Sequence, residues 1–205
     1  MAKAKTVYIC QNCGATSSKW LGRCNACGAW NSFVEEVRET ATRQSSRTAA
    51  GPEQPVKLAE VTRSGEARID TQSGELNRVL GGGLVPGSVI LIGGEPGIGK
   101  STLVLQMALE LKHMRVLYVS SEESNAQIKL RADRMRGMSD NLYLYPEALL
   151  ERVVDQAQKI EPDLLVVDSV QTLRSEKLDS SPGTVSQIHE GTDTLIQYAK
   201  SRNVP

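Results

Sequence analysis

The sequence predicts an α/β fold preceded by a small, separately stapled N-terminal piece. Three observations support this. From about residue 57, short β-branched runs alternate with helical stretches. One run opens into a glycine-rich loop that ends Gly99, Lys100, Ser101. All four cysteines lie in residues 7–34, together with both tryptophans and the only phenylalanine. Strict alternation of strand and helix requires a mostly parallel sheet covered on both faces.

With 205 residues, 40% hydrophobic and 23% charged, the chain has room for one full domain and an appendage. No apolar run approaches the roughly 18 residues of a membrane span. Residues Met1 to Lys5 are basic but are followed by no apolar signal segment, so a soluble, cytoplasmic protein is expected. Formal charge sums to zero but is uneven: residues 1–50 carry seven Lys and Arg against three Glu, and the rest carries 17 against 21 acids. A basic N-terminal piece permits a nucleic-acid partner without requiring one.

In chain order, the first element is a pair of knuckles. Cys10 and Cys13 are two residues apart, then ten residues intervene before Cys24 and Cys27 repeat the spacing, with Gly14 and Gly28 placed for the tight turns. Each knuckle turns two thiolates toward one point, and four sulfurs close a tetrahedral site with no open position, which suits structural zinc. Iron in a rubredoxin-like site is the alternative that spacing leaves open. Trp20 and Trp30 are expected to pack the small core around the metal, the alternative being an exposed stacking surface for bases. Residues 7–34 therefore read as a zinc finger. Residues 35–56, polar and with two prolines, read as a flexible linker.

Residues 57–205 carry expected strands at 88–93, 116–120, 142–145 and 164–168, and helices at 100–113, 125–135, 147–160 and 185–202. A further apolar strand is expected after Pro205, so the core reads as truncated at its C-terminal end.

Gly94, Glu95, Pro96, Gly97, Ile98, Gly99, Lys100 and Ser101 match the phosphate-binding P-loop between an apolar strand and a helix. Glycines let backbone amides approach phosphate oxygens, and Pro96 cannot donate, so the later amides form the cradle. Lys100 is expected to reach the β- and γ-phosphates of ATP, Ser101 to place its hydroxyl on Mg²⁺, and Thr102 to support the α-phosphate. The metal needs a carboxylate at the end of a buried strand. Asp168, after the apolar run 164–167, supplies it. Glu122, at the end of the run 116–120, is the expected base for water, with Glu123 as the alternative if it is not instead the first acid of the next helix, near the cap Ser124.

Weaker signals are the aperiodic stretch 171–183, a candidate functional loop with Arg174 and Lys177, and the Lys129, Arg131, Arg134, Arg136 cluster, read as a solvated helix face. Gln187 reads as a polar helix position, the alternative being a γ-phosphate sensor. His113 and His189 receive no role.

The knuckles, the run 80–87 rich in glycine before the P-loop strand, Ser120 to Ser124, the Asp168 strand and the Ser180 to Gly183 loop together resemble the bacterial RadA (Sms) DNA-repair ATPases, over essentially the whole chain. The resemblance implies a RecA-like P-loop core and an ATP hydrolase stimulated by DNA. It implies action on single-stranded and branched recombination intermediates, a homo-oligomeric, hexameric ring in the full-length protein and recombination proteins as possible partners. It assigns ATP binding to residues 94–101, zinc to Cys10, Cys13, Cys24 and Cys27, and the acidic roles to Glu122 and Asp168. Competing readings are a KaiC-like regulatory ATPase, a replicative-helicase-like enzyme of similar core, and a zinc adaptor switched by nucleotide.

Overall fold

The computed structural model describes residues 4–39, 55–60 and 68–205; most of the expected linker, 40–54, lies outside the described residues. Two sheets organise the chain. The N-terminal sheet is antiparallel, in the order β2-β1-β3, with β1 at Ala4–Cys10, β2 at Thr16–Ser17 and β3 at Phe33–Glu39. Cys10 pairs with Phe33 and Ala4 with Glu39, so the third strand runs into the stretch whose polar composition suggested linker.

The second sheet is parallel, in the order β5-β4-β6: β5 at Leu142–Tyr145, β4 at Val116–Ser120 and β6 at Leu164–Asp168. Strand β4 is central, and all five of its residues are buried. Alternation along it feeds two cores. Val116 and Tyr118 face Leu105 and Ala108 of α2 (Lys100–Glu110) and Ile128 of α3 (Asn125–Arg134). Leu117 and Val119 face Leu150 and Val153 of α4 (Leu150–Ile160) and Tyr198 of α5 (Val185–Arg202). These are the two covered faces that the alternating pattern requires, and each fully buried aliphatic side chain contributes about 1.5–3 kcal/mol. A short helix, α1 (Gly74–Val79), is capped by Ser73 and lies ahead of the glycine run.

One expected strand does not form. Residues 88–93 have no strand pairing, and Leu91 is 84% exposed. The cause lies at the neighbouring sheet edge: Leu165 N donates to Pro205 O at 3.0 Å. A Cβ on Gly87 would meet Asn203 Oδ1 at 3.0 Å and the Ala199 carbonyl at 3.5 Å. Residues 203–205 thus lie beside β6 and against Gly87, next to the start of the apolar run, and the run has no paired strand among the described residues.

Candidate functional site

The parallel register delivers the central carboxylate. Ser120 pairs with Asp168, so both strand ends open at the carboxyl edge of the sheet, where α/β folds bind ligands. Asp168 Oδ1 accepts a hydrogen bond from Ser101 Oγ at 3.1 Å, and Oδ2 accepts one from Tyr118 Oη at 2.7 Å. Residues 67 positions apart are joined by the first of these contacts. Tyr118 was not legible as a site residue. A polar aromatic two residues before the end of an otherwise apolar strand was the available signal, because period two puts Tyr118 on the face that Asp168 shares. Burial, and then the Asp168 carboxylate, push the Tyr118 phenol well above its usual range, so it stays protonated as a donor. The Asp168–Ser169 peptide is cis.

The glycine-rich loop is exposed. Gly97 and Gly99 hold φ of 81° and 100°, left-handed values that a side chain would strain. Helix α2 begins directly after, and its N-cap Gly99 offers no side-chain cap, so the first amides and the positive dipole end remain available to an anion. Lys100 Nζ bonds back to the carbonyls of Gly94 and Glu95, each at 2.9 Å. Thr102 is exposed on the first turn of α2.

The two adjacent glutamates part company. Glu122 is exposed, and its Oε1 accepts from Ser169 Oγ at 2.8 Å, beside Asp168. Glu123 forms an ion pair with Arg131 of α3, which takes Arg131 out of the solvated cationic face expected for it. Ser124 caps α3 in a capping box with Gln127.

In the ribbon, the four cysteine sulfurs lie within 4.8 Å of one another, with Cys10 to Cys27 at 3.7 Å and Cys13 to Cys24 at 3.6 Å. Thiolates around zinc at about 2.3 Å keep neighbouring sulfurs about 3.8 Å apart, whereas a disulfide needs about 2.05 Å. The set fits zinc. Charge supports the same conclusion: the Ser32 hydroxyl, 3.2 Å away, helps hold the Cys10 thiol down to about 6, and the Asn12 side chain lowers that of Cys27. The Ala15 amide favours the Cys13 thiolate, yet the Cys27, Cys10 and Cys24 sulfurs together with burial push it up to about 12. Four thiolates coexist here only with a cation between them.

The tryptophans overturn the expectation of a core role. Trp20 is 54% and Trp30 72% exposed, and the ribbon core is Cys10, Cys24 and Phe33 with Tyr8, Ala15 and Leu21 packed around it. Two sulfurs and one ring already fill a core this small. Gln187 lies in α5, a polar helix position as expected. It is 2% exposed, its Oε1 accepts from Ser175 N at 2.8 Å and its Nε2 donates to Ser180 O at 2.8 Å, so its amide is spent on the loop after β6. Within that loop Lys177 pairs with Glu190 at 2.7 Å. A cavity of about 740 Å³ lies at the opposite, amino ends of the strands, lined by Ile69, Pro86, His113, Met114 and Val204, away from the phosphate loop.

Residues 8–35 match the family described as a rubredoxin metal binding domain, and residues 52–197 match the family described as an AAA domain. Over its full length the chain is 46% identical to a DNA repair protein RadA of Halalkalibacterium halodurans, 48% to one of Streptococcus pyogenes serotype M6 and 45% to one of Bacillus subtilis. It spans 46% of the length of each of these relatives. A crystal structure of the RadB recombinase resembles it with a TM-score of 0.49 and 26% identity over 66% of each chain. No helix among the described residues is long and apolar enough to cross a membrane. The resemblance read from the motifs is borne out: the chain belongs to the AAA domain family, carries a metal-binding ribbon ahead of that domain, and is similar over its whole length to the DNA repair proteins RadA.

Proposed function

We propose that this chain binds ATP with magnesium at residues 94–101 and hydrolyses it as the nucleotide-handling part of a DNA-repair ATPase that acts on single-stranded and branched DNA. The longer protein would work as a ring in the cytoplasm. One observation carries the reading: the hydroxyl of Ser101, directly after the loop lysine, meets the strand-end carboxylate of Asp168 at 3.1 Å. That is the donor pair a phosphate-bound magnesium ion requires.

Magnesium, when bound, draws charge off the phosphate oxygens and so eases departure of the diphosphate. Ser101 Oγ and Asp168 would hold it, and Tyr118, bonded to Asp168 Oδ2 at 2.7 Å, keeps the other oxygen turned toward Ser101. Lys100 exchanges its bonds to Gly94 and Glu95 for phosphate oxygens, and the uncapped amides of α2 receive the remaining charge. Glu122, beside Asp168 through Ser169, orients the attacking water and takes its proton. Thr102 supports the α-phosphate. Cys10, Cys13, Cys24 and Cys27 hold zinc and take no part in the chemistry. Similarity to the RadA relatives supports the DNA part of this reading.

ATP turnover by the zinc-loaded chain, measured with and without single-stranded oligonucleotide, tests it. Turnover is expected to rise with DNA and to vanish in Lys100→Ala. Glu122→Gln is expected to retain binding of a fluorescent ATP analogue while turnover falls by about 10²–10⁴. Lys100→Ala hydrolysing ATP as fast as the unaltered chain would sink the proposal.

A further inference from the structure

We propose that the tip of the ribbon, where Trp20 and Trp30 flank Arg23, is a stacking site for the unpaired bases of single-stranded nucleic acid. The inference rests on the DNA reading above and adds to it a second contact surface, built from residues outside the nucleotide site.

The chain has two tryptophans, and both stand in solvent within one loop of the ribbon. Their large apolar rings forgo burial even though a core lies beside them, and that core is complete without them. The backbone brings them together. Arg23 and Trp30 are bridge partners in an antiparallel pair, and Asn31 N donates to Gly22 O at 2.8 Å in the next rung. The Trp20 ring lies against Gly22, 3.7 Å from where a Cβ would stand. Both rings therefore border the same two-rung ladder.

Arg23 is fixed among them: its guanidinium carbon is 5.6 Å from the Trp30 ring centroid, and its Nε donates to the Gly28 carbonyl at 3.2 Å. Lys19, next to Trp20, is presented by a turn in which Ser17 Oγ bonds Lys19 O at 2.6 Å. Both ladder strands run between the two cysteine knuckles or directly after the second, so the metal site holds the rings in place.

The charge pattern selects the occupant. Residues 11–34 contain Lys19 and Arg23 and no Asp or Glu, so the two cations offset the −2 of a zinc held by four thiolates and stand beside the rings, where a phosphate backbone can meet them. Ser18 and Asn31, close to the rings in sequence, are polar and exposed, so the indoles have polar neighbours along the chain. A protein partner would be served by a continuous apolar centre. Single-stranded nucleic acid is served by separate ring faces with cations between them.

Because Trp20 and Trp30 are the chain's only tryptophans, their emission reports on the site directly. Titrating the zinc-loaded chain with oligothymidylate is expected to quench that emission. Anisotropy of a fluorescein-labelled oligothymidylate is expected to show that Trp20→Ala and Trp30→Ala each weaken binding about ten-fold, with Phe replacements restoring most of it. Neither change should alter the salt dependence, whereas Arg23→Ala should lower the slope of log K against log salt by about 0.7. Zinc content of each variant controls for folding, and the quench itself needs no variant. If the labelled strand binds but leaves the emission and the Trp variants' affinity unchanged, the stacking site is wrong while the DNA reading stands; the rings would then better suit a protein partner. If the strand does not bind at all, both fall.

Discussion

The ribbon and the parallel sheet solve the same problem by opposite means. In the sheet, β4 hides all five of its residues and two packed layers of helices cover it. In the ribbon, the buried cluster among the described residues is only Cys10, Cys24 and Phe33, with Ile9 buried beside it on β1, and the two tryptophans stand outside it. A domain that small cannot pay for its ordering by burial, so a metal holds it. The difference teaches where each can carry function. The sheet can offer only its carboxyl edge, while the ribbon, freed from packing duty, can expose rings.

Removing the metal should break the comparison most visibly. Structural zinc supplies roughly 10–16 kcal/mol of apparent binding energy in small fingers. Chelation is therefore expected to abolish ribbon structure, read as loss of the near-ultraviolet circular dichroism of Trp20 and Trp30, while helical circular dichroism from α2 to α5 persists. Loss of both signals together would show that the sheet depends on the ribbon. The reciprocal change is Leu105→Ala. This side chain is fully buried, and its truncation should cost about 2–5 kcal/mol, lowering the thermal midpoint of the sheet with zinc content unaltered. Tyr118→Phe should cost about 1 kcal/mol through the lost bond to Asp168, and should raise the magnesium concentration needed for half-maximal ATP turnover. An unchanged magnesium requirement would leave Tyr118 a purely structural residue.

The smallest effect concerns pH. The Leu149 amide, followed by those of Ala148 and the Arg152 side chain, holds the Glu147 carboxyl below its ordinary value, with slight burial opposing. A depressed carboxyl stabilises the fold above its unfolded value and loses that contribution as pH falls through the folded one. Acid unfolding of Glu147→Gln, followed by circular dichroism below about pH 4.5, should accordingly be less steep than that of the unaltered chain.

What the sequence revealed divides along a physical line. Helix α5 at 185–202, the strand 164–168 and the cap Ser124 were legible because their signals are local: an apolar run, a periodicity, a side chain within reach of the next turn. The glycine loop, Asp168 and the four cysteines were legible for the same reason. The run 88–93 carries an equally good local signal, but a strand exists only with a partner, and the partner position is not written in the run. Trp20 and Trp30 misled because hydrophobicity says how much a residue gains by burial and not whether the core has room. Tyr118 and Gln187 act across the fold, on Asp168 and on the loop at 175–180, and no spacing within one element foretells such contacts.

Lys100 carries a thermodynamic consequence. Its ammonium bonds the carbonyls of Gly94 and Glu95, two groups of the very loop it serves. Filling the site is therefore an exchange in which lysine–carbonyl bonds are surrendered for lysine–phosphate bonds, and the measured enthalpy is their difference rather than the strength of either. Truncating Lys100 also removes the internal brace from the empty loop, so the affinity lost by Lys100→Ala contains a share for the cost of ordering that loop anew.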